Sequence, residues 1–344
     1  MSACGDGPVE PIDGPLDTTQ VRGTLLLSGD SVDTYASLTW IPGTDLVVYS
    51  SSPTGGDCAI KTVAVSDGTT SVVDDDCFDV PGSKYSYHRN IVAANDGMAI
   101  YYTVRVEDDI GGREQVLRSA DPAGSDVTTI RRHVVLALAL SRDGNQLAYL
   151  AGPASDSLML RELATDVETE LAYGGEFPLP ILFSPNDMEL LYQPLGELYR
   201  ILLIDGTTVP ATSPVFPPHA LHWDESGLSV MVHQSGGFEV HNLMTGEVRS
   251  VSDEVQDSPW MRSAQTWSTS GDRVAYAAPF CLDEFLYPGG CRLERVALFT
   301  ADPRTGSHTR VVFTVGVFGK AVFSPDGKRI VYNLDGDLYI SHVP

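Results

Sequence analysis

Short apolar segments alternate with polar turns along most of the chain. Near the C-terminal end, the apolar run Ala321–Phe323 is followed by the tetrapeptide Ser-Pro-Asp-Gly and then by a second run, Ile330–Tyr332. Proline presets φ at the corner of a turn, and Gly and Asp tolerate the positive φ that tight turns require. Because β-branched and aromatic residues dominate the flanking runs, the pattern predicts a β-hairpin.

This hairpin unit occurs seven times in the sequence. In five copies the turn glycine stands five residues before the residue that ends the second run; the fourth copy keeps this spacing with an aspartate, and the first is one residue longer. The turn residues and the residues that end the second runs are Gly43 and Tyr49, Gly97 and Tyr102, Gly144 and Tyr149, Asp187 and Tyr192, Gly227 and Val232, Gly271 and Tyr276, and Gly327 and Tyr332. The unit therefore recurs every 40 to 56 residues.

A second predicted hairpin follows the first in each unit. Three examples are Cys58–Val65 with Thr70–Asp74, Gln115–Ser119 with Val127–Ile130, and Phe238–Leu243 with Val248–Val251. Four antiparallel strands repeated at this period are typical of a propeller blade. The sequence therefore predicts an all-β fold, a seven-bladed β-propeller with four-stranded antiparallel blades, with six or eight blades open if one unit is degenerate.

The two ends of the chain complete each other. The last unit stops at its third strand, Asp337–Val343, and an apolar segment without a hairpin partner, Val21–Ser28, precedes the first unit. An N-terminal strand that completes the last blade closes the ring and removes an exposed sheet edge. We therefore predict a propeller domain over residues 21–344 and a flexible tether over residues 1–20.

The last unit resembles the repeat of TolB-like propellers. The resemblance is carried by Phe323-Ser-Pro-Asp-Gly-Lys-Arg-Ile-Val-Tyr332, followed by Asp335-Gly-Asp-Leu-Tyr-Ile340. Such repeats also occur in the propeller domains of prolyl oligopeptidase-type peptidases. The resemblance covers Val21 to Val343 and implies a propeller fold in a family composed mostly of binding scaffolds, because the repeat marks a turn and not a site.

The charge balance excludes one class of partner. With 46 acidic and 22 basic residues the formal net charge is −24, and this repels the phosphates of nucleic acids. The longest aliphatic run, Val134–Leu140, has seven residues, too few to span a bilayer. The acids are spread along the chain, as expected of a solvated surface. The run Asp74–Asp76 with Asp79 is a possible calcium site, although it lacks the EF-hand pattern.

The cysteines indicate an oxidising compartment. Cys58 and Cys77 are equidistant from a turn at Asp67-Gly68, so we expect them to face each other and form a disulfide. Cys281 and Cys291 lie ten residues apart in one loop, which they can close. Two local disulfides favour an extracytoplasmic protein, and a reduced, buried pair is the alternative for each.

The fifth cysteine suggests a membrane anchor. Cys4 follows Ser2-Ala3, which resembles the end of a bacterial lipoprotein cleavage motif, and Gly5 resembles the outer-membrane form of that signal. We therefore expect a lipid on Cys4 as the only attachment to a membrane. A free terminal thiol is the alternative.

No catalytic motif is found in the sequence, and we expect neither an enzyme nor a bound cofactor. The remaining candidates are four histidines of the fifth unit, His219, His222, His233 and His241. They are either ordinary hydrogen-bonded residues or ligands of a metal in the central channel.

The long loops predict a surface for a partner. Loops between the second and third strands, and loops between blades, lie on one face of a propeller and vary in length. The longest, residues 277–292, carries Phe280, Leu282, Phe285, Leu286 and Tyr287 between its cysteines or next to them. Other loops of this face add Tyr85, Tyr87, Phe216 and Trp260.

These residues predict a non-catalytic scaffold of the cell envelope that binds a protein or peptide through its loops and is itself a monomer. Phe285 and Leu286 could instead fold back onto the sixth blade. The alternative functions are a propeller enzyme, a polysaccharide lyase or hydrolase with its site in the central channel, and a purely structural spacer.

Overall fold

The computed structural model describes most of the chain after residue 21. The described residues are 22–33, 37–52, 58–77, 90–107, 113–152, 157–173, 181–192, 198–210, 221–223, 226–234, 237–252, 266–268, 271–280, 295–302, 305 and 307–344. They form 28 strands, arranged in seven four-stranded antiparallel sheets. The predicted all-β, seven-bladed propeller is confirmed.

The sheets follow one another along the chain as blades 1 to 7, and the strands of each are given from the innermost outwards. Blade 1 contains β2 (Thr39–Trp40), β3 (Leu46–Ser51), β4 (Ala59–Ala64) and β5 (Thr70–Asp74). Blade 2 contains β6 (Ile91–Ala93), β7 (Ile100–Glu107), β8 (Arg113–Ala120) and β9 (Thr128–Arg132). Blade 3 contains β10 (Val134–Leu140), β11 (Gln146–Ala151), β12 (Ser157–Glu162) and β13 (Glu168–Tyr173).

The remaining blades repeat this order, and the last one takes its outermost strand from the N-terminal end. Blade 4 contains β14 (Leu182–Phe183), β15 (Glu189–Tyr192), β16 (Tyr199–Leu202) and β17 (Thr207–Pro210). Blade 5 contains β18 (Leu221–Trp223), β19 (Ser229–Gln234), β20 (Gly237–Asn242) and β21 (Val248–Ser252). Blade 6 contains β22 (Thr266–Trp267), β23 (Val274–Phe280), β24 (Arg295–Ala301) and β25 (His308–Thr314). Blade 7 contains β26 (Phe318–Phe323), β27 (Arg329–Leu334), β28 (Asp337–His342) and β1 (Thr24–Leu27).

The seam between the two ends of the chain has the predicted form. Strand β1 pairs with β28, and Thr24 faces Ile340. The backbone N–H of Gly23 donates to the Tyr332 hydroxyl at 2.9 Å, inside blade 7. The segment then crosses to blade 1, where Val32 bridges to Ser51. The N-terminal segment is thus bonded to both blades that meet at the seam.

The hydrophobic core lies between the blades. One cluster of buried side chains joins each pair of neighbours, so all seven interfaces around the ring are apolar. Representative contacts are Ile60 with Tyr102, Leu117 with Leu147, Leu158 with Leu190, Leu191 with Trp223, Val240 with Tyr276, Leu298 with Phe323, and Leu338 with Tyr49, taken in order around the ring. Each blade therefore depends on two neighbours to bury its faces.

The turn between the first and second strands of a blade has a defined hydrogen-bond pattern. In blade 7 the Gly327 N–H donates to the Ser324 carbonyl at 2.8 Å. The Ser324 hydroxyl accepts from the Arg329 N–H at 2.9 Å and donates to an Asp326 carboxylate oxygen at 2.5 Å. Ser141, Ser184 and Ser268 have the same role in blades 3, 4 and 6. The serine of the repeat therefore holds the turn together, a role that the sequence analysis missed.

The fourth residue of this turn is in the left-handed region, which explains its restricted identity. Gly327 has φ 67° and Asp187, which replaces glycine in the fourth copy, has φ 56°. Aspartate is one of the few residues with a side chain that adopts this conformation at low cost.

The sequence spacing indicated that the first turn is one residue longer than the others. In the structure it has the same length. The Ile41 N–H bonds to the Leu46 carbonyl over the same number of residues as Ser324 to Arg329 in blade 7. The glycine has instead moved to the third position, where Gly43 has φ 72° after Pro42. Proline followed by glycine is typical of a type II turn.

The Cys58–Cys77 disulfide is confirmed, with the two Cα atoms 5.4 Å apart. The expected strand register is wrong, however. Lys61 faces Val72, and a bulge shifts the next pair to Ile60 and Asp74. The bulge moves the register only one residue towards the expected one, and the two cysteines pair beyond the ends of the strands.

We predict that closing the seam requires a glycine at position 23. A Cβ atom there would clash with the Ile340 carbonyl oxygen, so Gly23→Val should force β1 away from β28. We expect a loss of about 2–4 kcal/mol in the free energy of unfolding, measured by urea denaturation. Leu25→Ala, on the same strand but exposed, is the control and should change stability by less than about 0.5 kcal/mol. Equal stability of the Gly23→Val protein and the wild type would contradict the role assigned to the seam.

Candidate functional site

The two faces of the propeller differ in their connections. The face that we call the turn face carries the turns between the first and second and between the third and fourth strands of each blade. The opposite face, the loop face, carries the loops between the second and third strands and those between blades. Strands β23 and β24 pair up to Phe280 and Arg295, so residues 281–294 connect the two strands on the loop face.

Most of the predicted partner-binding residues lie outside the described residues. Phe280 ends β23, and its side chain is not among the described ones. The other partner-binding candidates lie outside the described residues altogether: Leu282, Phe285, Leu286, Tyr287, Tyr85, Tyr87, Phe216 and Trp260. The same holds for the tether with Cys4, for Asp79 and His219, and for the second cysteine pair, Cys281 and Cys291. The role of the partner-binding candidates on the loop face stays a prediction.

A buried polar cluster joins blades 1 and 2. The Tyr102 hydroxyl donates to a carboxylate oxygen of Asp74, the last residue of β5, at 2.8 Å. The Arg118 guanidinium donates to the same carboxylate oxygen at 2.8 Å and to Asp76 at 2.7 Å. Burial and the Asp74 charge raise the pKa of Tyr102 far above its usual value. Burial opposes the charge on Arg118, but hydrogen bonds to both carboxylates outweigh it and raise the pKa of Arg118.

The interface across the seam has the same arrangement. The Tyr49 hydroxyl donates to Asp30 at 2.5 Å, and the Lys61 ammonium lies 2.6 Å from the other oxygen of that carboxylate. Tyr49 is paired with Lys61 on the next strand of its blade, just as Tyr102 is paired with Arg118. In both cases a tyrosine and a cation of one blade bind a carboxylate that follows or ends the outermost strand of the preceding blade.

A third cluster lies between blades 2 and 3. The Tyr149 hydroxyl donates to Glu168 at 2.5 Å, and Arg161 lies 2.8 Å from the same oxygen. Arg131 of blade 2 reaches the second Glu168 oxygen at 3.2 Å. In blades 4, 6 and 7 an aromatic ring takes the place of the cation. The ring centroids of Tyr199, Phe299 and Tyr339 lie 5.8, 5.6 and 5.8 Å from the ring centroid of the facing tyrosine.

The chemistry of these clusters is that of structural ties. A tyrosine whose pKa is raised stays protonated near neutral pH and acts as a hydrogen-bond donor, while each carboxylate is neutralised by its cation. In blades 1 and 2 the signal in the sequence was a Lys or Arg at the position facing the repeat tyrosine. The carboxylate of these two clusters comes from the preceding blade and is not marked by the repeat.

Three of the candidate metal ligands, Asp74, Asp76 and His241, have other partners, and the side chains of His222 and His233 are not among the described ones. Asp74 and Asp76, considered for calcium, both accept hydrogen bonds from Arg118. The His241 ring nitrogen Nε2 lies 2.8 Å from a Glu239 carboxylate oxygen, and His233 faces Phe238 rather than His241. Within the described part of the chain, no three His, Cys, Asp or Glu side chains are grouped so that they could hold a metal.

The first turns of neighbouring blades contact one another on the turn face. The Asp187 carboxylate accepts from the backbone N–H groups of Arg142 and Asp143 at 2.7 and 2.9 Å, which ties blade 4 to blade 3. The Asn95 side chain of blade 2 donates to the Arg142 carbonyl. Hydrogen bonds from Asn145 and Ser141 lower the pKa of Asp143, so it is ionised at neutral pH. The first turns of blades 2, 3 and 4 are thus linked to one another by hydrogen bonds.

None of the described residues forms a helix suited to crossing a membrane.

Comparisons with known proteins show the fold and not the function. No protein-family model matches the chain, and a search of curated protein sequences finds no match. Among solved structures, the chain is similar to TolB from Acinetobacter baumannii (TM-score 0.50, 15% identity, 85% of this chain and 77% of that one). It is also similar to an oligogalacturonate lyase in complex with manganese (TM-score 0.61, 12% identity, 94% and 90%) and, less closely, to a chain of a nidogen–laminin complex (TM-score 0.48, 10% identity, 64% and 80%). The chain therefore has the fold of a TolB-like seven-bladed β-propeller.

Proposed function

We propose that this protein is a non-catalytic binding scaffold of the bacterial cell envelope, which recognises a protein or peptide through the loop face. One observation supports this more than any other. At the three interfaces from blade 7 to blade 3, tyrosines, cations and carboxylates form clusters that tie neighbouring blades together. Such ties keep the strands fixed, and a rigid scaffold that carries long loops is a common design for recognition.

The cellular location is supported by the Cys58–Cys77 disulfide, which is typical of an oxidising, extracytoplasmic compartment. We further propose that a lipid on Cys4 anchors a monomeric protein to the outer membrane through the tether of residues 1–20. The support for this finer proposal is the Ser2-Ala3-Cys4-Gly5 sequence.

The anchor can be tested by mass spectrometry of the protein purified from the membranes of its native host. We expect the N-terminal peptide to begin at Cys4 and to carry the mass of a diacylglyceryl group and an acyl chain. A Cys4→Ser variant should leave the membrane fraction. An unmodified Cys4 in the native protein would rule out the anchor and leave the binding proposal untouched.

The loop of residues 281–294 is the part of the loop face that we expect to contact the partner. It connects the paired ends of β23 and β24, so its two ends are held next to each other. A bridge between Cys281 and Cys291 would restrict it further and lower the entropy lost on binding. Phe280, Leu282, Phe285, Leu286 and Tyr287 would supply the apolar contact area of an interaction hot spot.

We predict that this loop is needed for binding and dispensable for folding. The variant replaces residues 282–290 with a Gly-Ser linker of equal length and both flanking cysteines with Ser. Affinity capture from a cell-envelope extract should recover a partner with the wild type and with Met98→Ser, an exposed control on the turn face, and not with the loop variant. The purified partner should then bind the loop variant at least about tenfold more weakly, by calorimetry. Capture of the same proteins by all three would refute the proposed site.

The second candidate, a polysaccharide lyase or hydrolase, makes a different prediction for the buried clusters. If Asp74 is a structural tie, Asp74→Asn should lower the free energy of unfolding by about 2–3 kcal/mol. The loss should be smaller than for breaking an isolated buried ion pair, because Asp76 still binds Arg118. Arg118→Met combined with Asp74→Asn should cost less than the sum of the two single changes.

The neighbouring exposed carboxylate provides the control, and Asp75→Asn should change stability by less than about 0.5 kcal/mol. Removing a catalytic carboxylate commonly leaves stability unchanged or raises it. A stable Asp74→Asn protein, or polysaccharide cleavage by the wild type that this variant lacks, would therefore favour the enzyme.

A further inference from the structure

Four large apolar side chains are exposed on the turn face of the neighbouring blades 4 and 5. Met188 and Ile204 of blade 4 are 49% and 79% exposed, and Leu228 and Met244 of blade 5 are 48% and 71% exposed. Met188 and Leu228 belong to the first turns, and Ile204 and Met244 to the second turns. We call these four residues the turn-face patch.

Hydrogen bonds within each blade and contact between the two blades bring the four residues to one region of the turn face. The Leu203 N–H donates to the Met188 carbonyl at 2.9 Å, so Ile204 lies beside Met188, and the Leu243 N–H donates to the Leu228 carbonyl at 2.8 Å in the same way. The two blades are in contact here, since a Cβ atom on Gly227 would lie 3.6 Å from the Pro185 ring.

The same hydrogen bond identifies the equivalent positions in blades 1, 3 and 7, and these are not large apolar residues. It joins Val65 to Asp45 in blade 1, Leu163 to Asn145 in blade 3 and Val343 to Lys328 in blade 7. The residue pairs that correspond to Met188 with Ile204 are therefore Asp45 with Ser66, Asn145 with Ala164, and Lys328 with Pro344. In blade 2 the position of Met188 is held by Met98, which is 71% exposed. The repeat does not require an apolar side chain at either position, and in blades 4 and 5 both positions of each blade are large and apolar.

The border of the patch is acidic. Asp205 follows Ile204, and hydrogen bonds from Thr207 lower the pKa of its exposed carboxyl. Asp187 precedes Met188, and Glu247 lies exposed beyond the second turn of blade 5. Arg200, the cation of the strand that leads into the second turn of blade 4, is bound by both oxygens of Glu189 at 2.6 and 2.7 Å.

We propose that the turn-face patch binds a cationic amphipathic segment of a partner protein, one whose apolar side is bordered by Lys or Arg. Methionine side chains adapt to different apolar surfaces, and a cluster of exposed apolar residues on a soluble protein marks an interaction site. The acidic border attracts the basic edges of such a segment and repels anionic lipid and a second copy of this chain, whose net charge is −24. This site lies opposite the loop face and does not depend on the function proposed there.

The experiment measures the affinity of a labelled helical peptide of Leu and Lys, about five turns long, by fluorescence anisotropy in about 150 mM salt. The patch variant is Ile204→Ser with Met244→Ser. The matched control is Met98→Ser with Val72→Ser, which removes side chains that are 71% and 50% exposed at other places on the surface. All three proteins keep the same charge.

We expect the patch variant to bind the Leu/Lys peptide at least about tenfold more weakly than the wild type, and the control variant to bind within about twofold of it. A peptide with Glu in place of Lys should bind weakly to all three. Equal binding by the patch variant would mean that charge alone attracts the peptide, which overturns the proposal.

Two further outcomes would also overturn it. One is self-association of the wild type that the patch variant lacks, measured by sedimentation, and the other is patch-dependent binding to zwitterionic lipid vesicles. The loop variant described above should bind the peptide like the wild type, so that failure of the loop-face proposal and of this one can be told apart.

Discussion

The packing of each blade against two neighbours is the constraint on which the rest of this structure depends. A single four-stranded sheet has two faces to bury and can bury neither alone. In this protein every interface of the ring contains a cluster of buried apolar side chains, including the interface at the seam. A ring with one open interface would expose two such faces to water. Pairing of β1 with β28 is therefore as much a part of the core as any internal contact.

The tyrosine of the second strand is the place where apolar packing and polar ties meet. Its ring is buried between blades, while its hydroxyl reaches a carboxylate of a neighbouring or the same blade in the first three units. Where the facing residue is aromatic, two stacked or tilted rings fill the same space. The repeat thus keeps one geometry and uses two kinds of chemistry, a neutralised charge cluster in blades 1 to 3 and aromatic contact in blades 4, 6 and 7.

This architecture gives the molecule two faces with different properties. The loop face carries connections of many lengths, which a rigid ring can position for recognition. The turn face is built from short, uniform turns that share hydrogen bonds, and uniformity at first argues that it has no role of its own. The exposed apolar residues of blades 4 and 5 change that interpretation, because the equivalent pairs in blades 1, 3 and 7 contain no large aliphatic side chain. Two binding surfaces on opposite faces would let one scaffold hold two partners at once.

The sequence by itself determined the number of blades, the strands, the turns and the N-terminal closing strand. Each of these is specified by residues close together in the repeat, such as the Ser-Pro-Asp-Gly turn before Tyr332. Even there, spacing misled at Gly43, where the glycine changed its position within a turn of unchanged length, and at Cys58–Cys77, where a bulge altered the register. Only the tertiary structure decided which carboxylate meets which tyrosine, because Asp74 and Tyr102 belong to different blades and no repeat spacing relates them. It also brought Met188, Ile204, Leu228 and Met244 to one region of the turn face, since that depends on hydrogen bonds between turns and on contact between blades, which exist only once the ring has closed.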